Sequence, residues 1–589
     1  MSARSADAVR PRRVPAALVL LLVAVLGGCV GAPTDGPVRE GLPAAEAEAP
    51  SLLVRPLARP PTDGMTPQEI VQGFLDASAA VGEEDTARAY LTRQAAQQWR
   101  PSDGITVLEA DNPAVERSGA DVLVSGRQVG SVSSSGVWRE QQPTAVALPF
   151  PMAQVEGQWR ISAPPAGLVL SRASLNRGFR VLPVMFLDPA RSIAVPDPRY
   201  MPGTAPPGLA TALLTALLAG PSPWLAPAVV SVFPPGAALA AGAVPVRDGI
   251  ATVDVLGMGA DLDDATREGV AAQLRWTLRT VPGVTAVVFS VDGREVPLGE
   301  GRGPLPLAGP ADFDPGGLSG RADLYGIAAD GQASVLRDGR LEPLLPGRPE
   351  GAATAVAVSP SGGRMALVPP DRSAVLLGAL PRPEGPLVRV PASVAAGPRF
   401  DRQRRVWWVA ADGSVVRALD GPAGTAPPVP AAVPVSVVAA DGASAGGRPA
   451  PPGRIVAAVP ARDGVRMLLL VAPPSGPTTA WLGVVVDGPQ GTAVLGARPL
   501  PATAGAVAIA WHDSGTVTTL AAAQAAVLRW NLLGQPAGRL AITPAAAAVA
   551  VADAPAASPV VGLADGTSGT AVGDALRGLV PLSAPVFPG

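Results

Sequence analysis

The chain of 589 residues has a formal net charge of −2 and a pI of about 5.7, with charges of both signs scattered along it, so no basic footprint for nucleic acid exists. A single cysteine, Cys29, rules out an intrachain disulfide, and a single histidine, His512, rules out a zinc site of the usual histidine-rich kind. All 46 basic residues are arginine and form no cluster, which the codon bias of a GC-rich genome explains better than carboxylate or phosphate binding.

Residues 1–28 read as a secretory signal peptide. Arg4, Arg10, Arg12 and Arg13 precede an uncharged apolar run, Val14 to Leu26, that is too short to span a bilayer. The run ends Leu26-Gly27-Gly28-Cys29, which resembles the bacterial lipobox: an aliphatic residue three before the cysteine, then small residues at the cleavage subsites. The resemblance implies signal-peptidase cleavage between Gly28 and Cys29 and lipidation of Cys29. Two acyl chains hold a protein stably on a membrane where one holds it marginally. An ordinary signal peptide, or a single-pass anchor with an incidental cysteine, is the alternative. After residue 28 no uncharged apolar run approaches the roughly 20 residues of a membrane helix, so the lipid is expected to be the sole anchor.

Residues 29–64 are rich in Pro, Ala and acid without a sustained period and read as a disordered tether, which at roughly 3 Å per residue reaches about 100 Å at most. From 65 to 170 the pattern is helices and then strands. "MTPQEIVQGFLDASAA" carries Ile70, Val71, Phe74 and Leu75 at helical spacing, with Thr66 and Glu69 as a capping box. "ITVLEA", "DVLVSGRQVGSVSS", "PTAVALPF" and "VEGQWRISAPP" then alternate as strands. This order resembles the NTF2-like, or cystatin-like, α+β cone, whose interior either holds a ligand or is filled by its own side chains.

The next unit, 177–300, opens on a hairpin around Asp188-Pro189. The helix "GLATALLTALLAGPSPWL" stops at Gly220-Pro221, and a second helix, "DDATREGVAAQLRWTLRTVPGV", precedes the strand "AVVFSVDGREV". The spaced elements "LLAGP", "FPPGA", "DGIATVDV", "QLRWTL", "VPGV" and "VVFSVDG" resemble the GerMN domain, an α+β fold.

After a linker at 301–318, residues 319–589 hold no convincing helix. Pairs of short strands flank polar turns near Ser359, Asp401, Asp463 and Asp513, about 40 to 60 residues apart, which is the spacing of propeller blades. An all-β propeller of six or seven blades is expected, with "LYGIAADGQASVLRDGRLEPL" and the stretch from 560 helping to close the ring; a pair of β-sandwiches is the alternative.

Candidate catalytic chemistry is sparse. His512 lies in the blade turn "AWHDSG", where a solvated or capping role outweighs a Ser-His-Asp triad. "GASAG", Gly442 to Gly446, matches a nucleophile elbow around Ser444 literally, but the prolines that follow forbid the helix an elbow needs. "DLDD", 261 to 264, lacks the later ligands of a calcium loop and precedes a helix, where acids favour the dipole. The sequence therefore points to no catalytic residue, no metal ligand and no cofactor, and no pair among its acids stands out for glycan cleavage.

The whole order resembles the LpqB family of actinobacterial lipoproteins, carried best by "PQEIVQGFLDA", "YLTRQAAQQW", "GQWRISAPPAGLVLS" and "LLAGPSPWLAPAV". The resemblance implies a lipid-anchored protein on the extracytoplasmic face of the cell membrane. Its implied partner is the extracytoplasmic domain of a sensor histidine kinase, MtrB of the Mtr two-component system, with consequences for envelope homeostasis and division. An envelope enzyme acting on glycan or peptide, and a solute-binding lipoprotein, are the alternative classes.

Overall fold

The stripe Ile70, Val71, Phe74 and Leu75 winds into the helix Pro67–Ala79 and is buried along its whole length. Thr66 caps it: Glu69 N donates to Thr66 Oγ1, and Thr66 N donates to Glu69 Oε2 at 2.7 Å, the reciprocal box that the sequence predicts. Helices Glu84–Arg88 and Arg93–Gln98 follow. The protein is seen in a computed structural model that describes residues 58–299, 303–308, 313–316, 323–380, 387–419, 431–440, 450–489, 491–542, 548–554, 557–573 and 575–589. The lipobox residues Gly28 and Cys29, the tether up to residue 57, and Ser444 lie outside the described residues.

The N-terminal sheet runs in the order Gln158–Ile161, Trp138–Val155, Asp121–Ser133, Gly104–Leu108, Leu168–Ser171, with Ala114–Ser118 also pairing with Asp121–Ser133. Register shifts at Val107/Leu108 and Gln128/Gly130 mark bulges, which bend and twist a sheet. Its interior is occupied by its own side chains: Phe74 meets Trp99 at 5.2 Å and Phe150 at 6.1 Å, both edge to face, and Trp99 Nε1 donates to Gly167 O. Residues 58–64, grouped with the tether by their prolines, lie against this domain, since Tyr90 Oη donates to Arg59 O at 2.7 Å and Gly64 N to Gln158 Oε1 at 2.9 Å.

The second domain starts from the hairpin Phe179–Leu187 and Ala194–Pro202. Strands Ile250–Leu256 and Ala286–Val291 pair in parallel, and the helix Asp264–Leu278 makes the crossover between them. That helix is stitched to the hairpin and to the loop at Val232 by polar groups that its apolar face would not predict: buried Gln273 donates to Met185 O and accepts from Val232 N, while Thr277 accepts from Met185 N. Asp263 caps it, accepting from Thr266 N at 2.7 Å, so "DLDD" serves the helix start. The linker is not wholly apart: Leu305–Pro306 adds to the sheet beside Ala286–Val291, and Phe313 bridges to Ile193.

The last domain has six blades among the described residues. Blades 2 to 6 are formed by consecutive strands from Ala355–Val358 to Val388–Pro391, Val394–Phe400 to Val433–Ala439, Arg454–Pro460 to Gly491–Pro499, Ala508–Trp511 to Pro536–Ala541, and Ala548–Ala554 to Ala575–Val580. Blade 1 takes Leu324–Ala328, Ala333–Arg337 and Arg340–Pro343 from the domain's start and its innermost strand, Leu582–Val586, from its end. The first strands of blades 2 to 6 and Leu582–Val586 adjoin one another around the axis. The stretch from 560 to 580, expected to help close the ring, is blade 6 itself; the five residues that do close it are too few to show a period. Blades 3 and 4 are further joined at the rim, where Val433–Ala439 pairs in parallel with Gly491–Pro499.

Candidate functional site

The turns noticed in the sequence, at Ser359, Asp401, Asp463 and Asp513, follow the innermost strands of blades 2, 3, 4 and 5. Two of them, Asp401 and Asp463, organise arginines. Asp401 accepts from Arg405 Nε at 2.5 Å, from Arg405 N at 2.8 Å and from Trp407 Nε1 at 2.7 Å, all buried. Arg405 then crosses to blade 4, donating to Gly464 O at 2.6 Å and Asp487 Oδ2 at 2.8 Å. Asp463 pairs with Arg466, both fully buried, and Arg466 lies 5.1 Å from the centre of the Trp511 ring of blade 5.

His512 belongs to this system. Its Nδ1 is 3.1 Å from Asp553 Oδ1, and Asp553 also accepts from Thr518 Oγ1 at 2.6 Å and from Arg529 Nε and Nη2 at 3.1 Å. Burial raises the Asp553 carboxyl, but the bonds and charges of His512 and Arg529 outweigh it and hold the group below the usual carboxylate range. The Thr518 hydroxyl is directed at the carboxylate and not at the imidazole, so the trio lacks the nucleophile-to-base contact of a hydrolase. Among the described residues no three His, Cys, Asp or Glu side chains gather as metal ligands.

A second cluster, signalled in the sequence only by the stretch "LLAGPSPWL", joins the domains. Arg199, fully buried, donates to Ser135 O of the first domain at 2.9 Å, to Asp197 Oδ2 at 2.7 Å and to Gly220 O at 2.9 Å. Asp197 also receives Ser222 N and Ser222 Oγ at 2.7 and 2.8 Å. Next to it Tyr200, its phenol pushed up to about 12 by burial, accepts from Gln535 of blade 5 at 2.7 Å. Trp224 lies under Arg498 of blade 4, 5.0 Å from ring centre to guanidinium. Val465 and Val484 of the propeller sit within the core of the second domain.

A groove of about 300 Å³ opens where blades 3 and 4 meet, lined by Gln403, Arg405, Arg417, Leu419, Asp487 and Thr492. Arg417 Nε is buried without a hydrogen-bond partner, and Leu419 is 57% exposed at the rim. The groove is small and mixed in character beside the mostly apolar pockets that take drug-sized ligands. No helix among the described residues is long and apolar enough to cross a membrane.

Three family models match the chain in order: the lipoprotein LpqB N-terminal domain over residues 60–176, the sporulation and spore germination domain over 183–297, and the lipoprotein LpqB β-propeller domain over 331–572. The chain is 32% identical over 383 residues to lipoprotein LpqB of Thermobifida fusca, covering 62% of this chain and 60% of that one. It is 30% identical over 293 residues to that of Cutibacterium acnes, covering 50% and 49%, so the matches span less than two thirds of these two relatives. With lipoprotein LpqB of Mycobacterium bovis it shares 30% identity over 452 residues, 71% of this chain and 73% of the relative. Among solved structures, a nidogen/laminin complex resembles 46% of the chain over 99% of its own, with a TM-score of 0.32 and 10% identity.

Proposed function

The chain belongs to the LpqB lipoprotein family, and from that premise we propose that it is an accessory protein that binds and modulates a sensor histidine kinase, MtrB, outside the membrane. In this reading Cys29 carries the lipid, residues up to 57 span the gap to the membrane, and the folded domains meet the kinase's extracytoplasmic domain. Envelope homeostasis and division are the processes affected.

The observation that supports binding over catalysis is where the charged side chains go. Asp197, Arg199, Asp401, Arg405, Asp463, Arg466 and Asp553 all hold domains or blades together. At the groove between blades 3 and 4, by contrast, the acid Asp487 is taken by Arg405, and Arg417 makes no ion pair among the described residues beside the exposed Leu419. A cation next to an exposed aliphatic suits an acidic and apolar protein surface. Co-anchoring in one membrane raises the effective concentration, so modest affinity suffices.

The test is capture of the kinase's extracytoplasmic domain by the full-length protein in detergent, with Arg417→Glu and Leu419→Asp as groove variants. Binding by the wild type, weakened at least about tenfold by either variant at unchanged thermal midpoint, supports the reading. No binding at high micromolar concentration sinks it. The anchor is tested separately: Cys29→Ala should abolish palmitate labelling, and labelling that persists would remove the lipobox from the argument.

A further inference from the structure

The innermost strands of blades 1 and 3 to 6 line a partly open cavity of about 30 Å³ beside the propeller axis, and two arginines contribute to it. Arg399, from blade 3, has one hydrogen-bond acceptor among the described residues, the carbonyl of Pro398 at 2.8 Å. Arg462, from the blade 4 turn, is 7% exposed; it reaches only carbonyls, His512 O at 3.2 Å and Asp553 O at 3.3 Å, and its Nε is buried without any partner. The acid that lines the same space, Asp553, is already engaged by Arg529, His512 and Thr518. The remaining walls are apolar or backbone, with Trp511 turning its Nε1 to Val459 O and not to the cavity.

Two arginines thus line one space with the Asp553 carboxylate, which Arg529 already engages, while Asp513 acts on Arg462 from the neighbouring turn and Gly589 lies against its side chain. Half-buried Arg399 has no acid beside it among the described residues and burial pushes it down to about 10, while burial also lowers Arg462 against the pull of Asp553 and Asp513. A water satisfies a donor but leaves the charge. The space admits little more than one water-sized group.

We propose that the cavity beside the propeller axis is a binding site for one small monovalent anion, a halide ion or a single carboxylate group, held between Arg399 and Arg462. A free ion and the acidic side chain of a partner have the same chemistry here, and both fit a site lined by strands from five blades.

The full-length protein in detergent is titrated with bromide or formate replacing gluconate at constant ionic strength. The thermal midpoint should rise by about 2 °C or more at saturation, and Arg399→Gln should lose most of that rise. A response to both anions identifies a free-ion site, and a response to formate alone identifies a carboxylate site. Equal responses in wild type and Arg399→Gln, or none in either, overturn the proposal. Should the variant not fold, bromide-soaked wild-type crystals decide: an anomalous peak within hydrogen-bonding distance of both guanidiniums supports the site, and an empty cavity overturns it.

Discussion

Asp197 and Arg199 form an ion pair at 2.7 Å from which solvent is excluded on both sides, and the same arginine bonds the first domain while the same aspartate bonds Ser222, in the loop whose Trp224 packs under Arg498 of the propeller. Two residues on one strand of a hairpin therefore fix the meeting point of all three domains. Buried pairs of this kind add little net stability, yet losing one partner is severe because the other charge is left stranded.

Arg199→Met should accordingly cost about 3–5 kcal/mol, read as a lowered midpoint in chemical denaturation. The double variant Arg199→Met with Asp197→Leu should recover a substantial part, since no charge remains uncompensated. If the double variant is as unstable as the sum of the singles, the pair is not the source of the cost.

Trp224 tests the next joint. Half-buried under Arg498, whose Nη2 continues to Leu532 O at 3.1 Å, it ties the second domain to blades 4 and 5. Trp224→Ala should cost about 1–3 kcal/mol through lost burial and cation–π contact. Calorimetry should show one unfolding transition separating into two. A single unbroken transition would mean that the valine contacts carry the interface alone.

The elements were legible in the sequence where period and punctuation agree. The helix at Pro67–Ala79 announced itself by its stripe and box, the hairpin by Asp188-Pro189, and four blades by polar turns after short apolar strands. The closing strand Leu582–Val586 was not, because its pairing with Leu324–Ala328 depends on chain ends that meet only in space. Nor could the sequence show that "LLAGPSPWL" is a junction: Gly220 contributes a carbonyl, Ser222 a cap for Asp197 and Trp224 a platform, three unrelated roles with no shared spacing. The turn aspartates were visible, but Arg405, Arg462 and Asp553 gain their meaning from neighbours on other blades. Burial of Gln273 and Thr277 follows from the backbone of the hairpin they serve, which no helical period encodes.

Ring closure gives a third expectation. Removing residues 582–589 leaves the edge of Leu324–Ala328 unpaired and strips the inner wall between blades 6 and 2. Open edges invite association. The shortened protein should be cleaved within the propeller by limited proteolysis and should aggregate at concentrations where the full chain does not, whereas the first domain should keep its protected fragment.

Asp553 sets an acid limit. Its carboxyl is held below the ordinary value in the folded protein, so its contribution is fully present above the unfolded value near 4 and is lost as pH falls through the folded value. Asp553→Asn should cost about 2–5 kcal/mol at pH 7, because Arg529 loses its acid. The difference between wild type and variant should be constant from about pH 6 to 8 and shrink below about pH 4. A difference that grows on acidification would show that the group is protonated in the native state.

The last expectation separates binding from catalysis at His512. The imidazole touches Asp553 through Nδ1, and the hydroxyl nearest the pair, Thr518, donates to the carboxylate, so the histidine is placed to support a blade junction and not to activate a nucleophile. Its loss leaves Asp553 with Arg529 and Thr518, and His512→Ala should therefore cost only about 1–2 kcal/mol. A strain lacking the native protein should be complemented by His512→Ala, and equally by Ser444→Ala, whose Gly-x-Ser-x-Gly match is followed by prolines. Kinase binding should be unchanged in both. Loss of complementation by either variant, with thermal midpoint and binding intact, would transfer the function to an enzymatic site and set the binding reading aside.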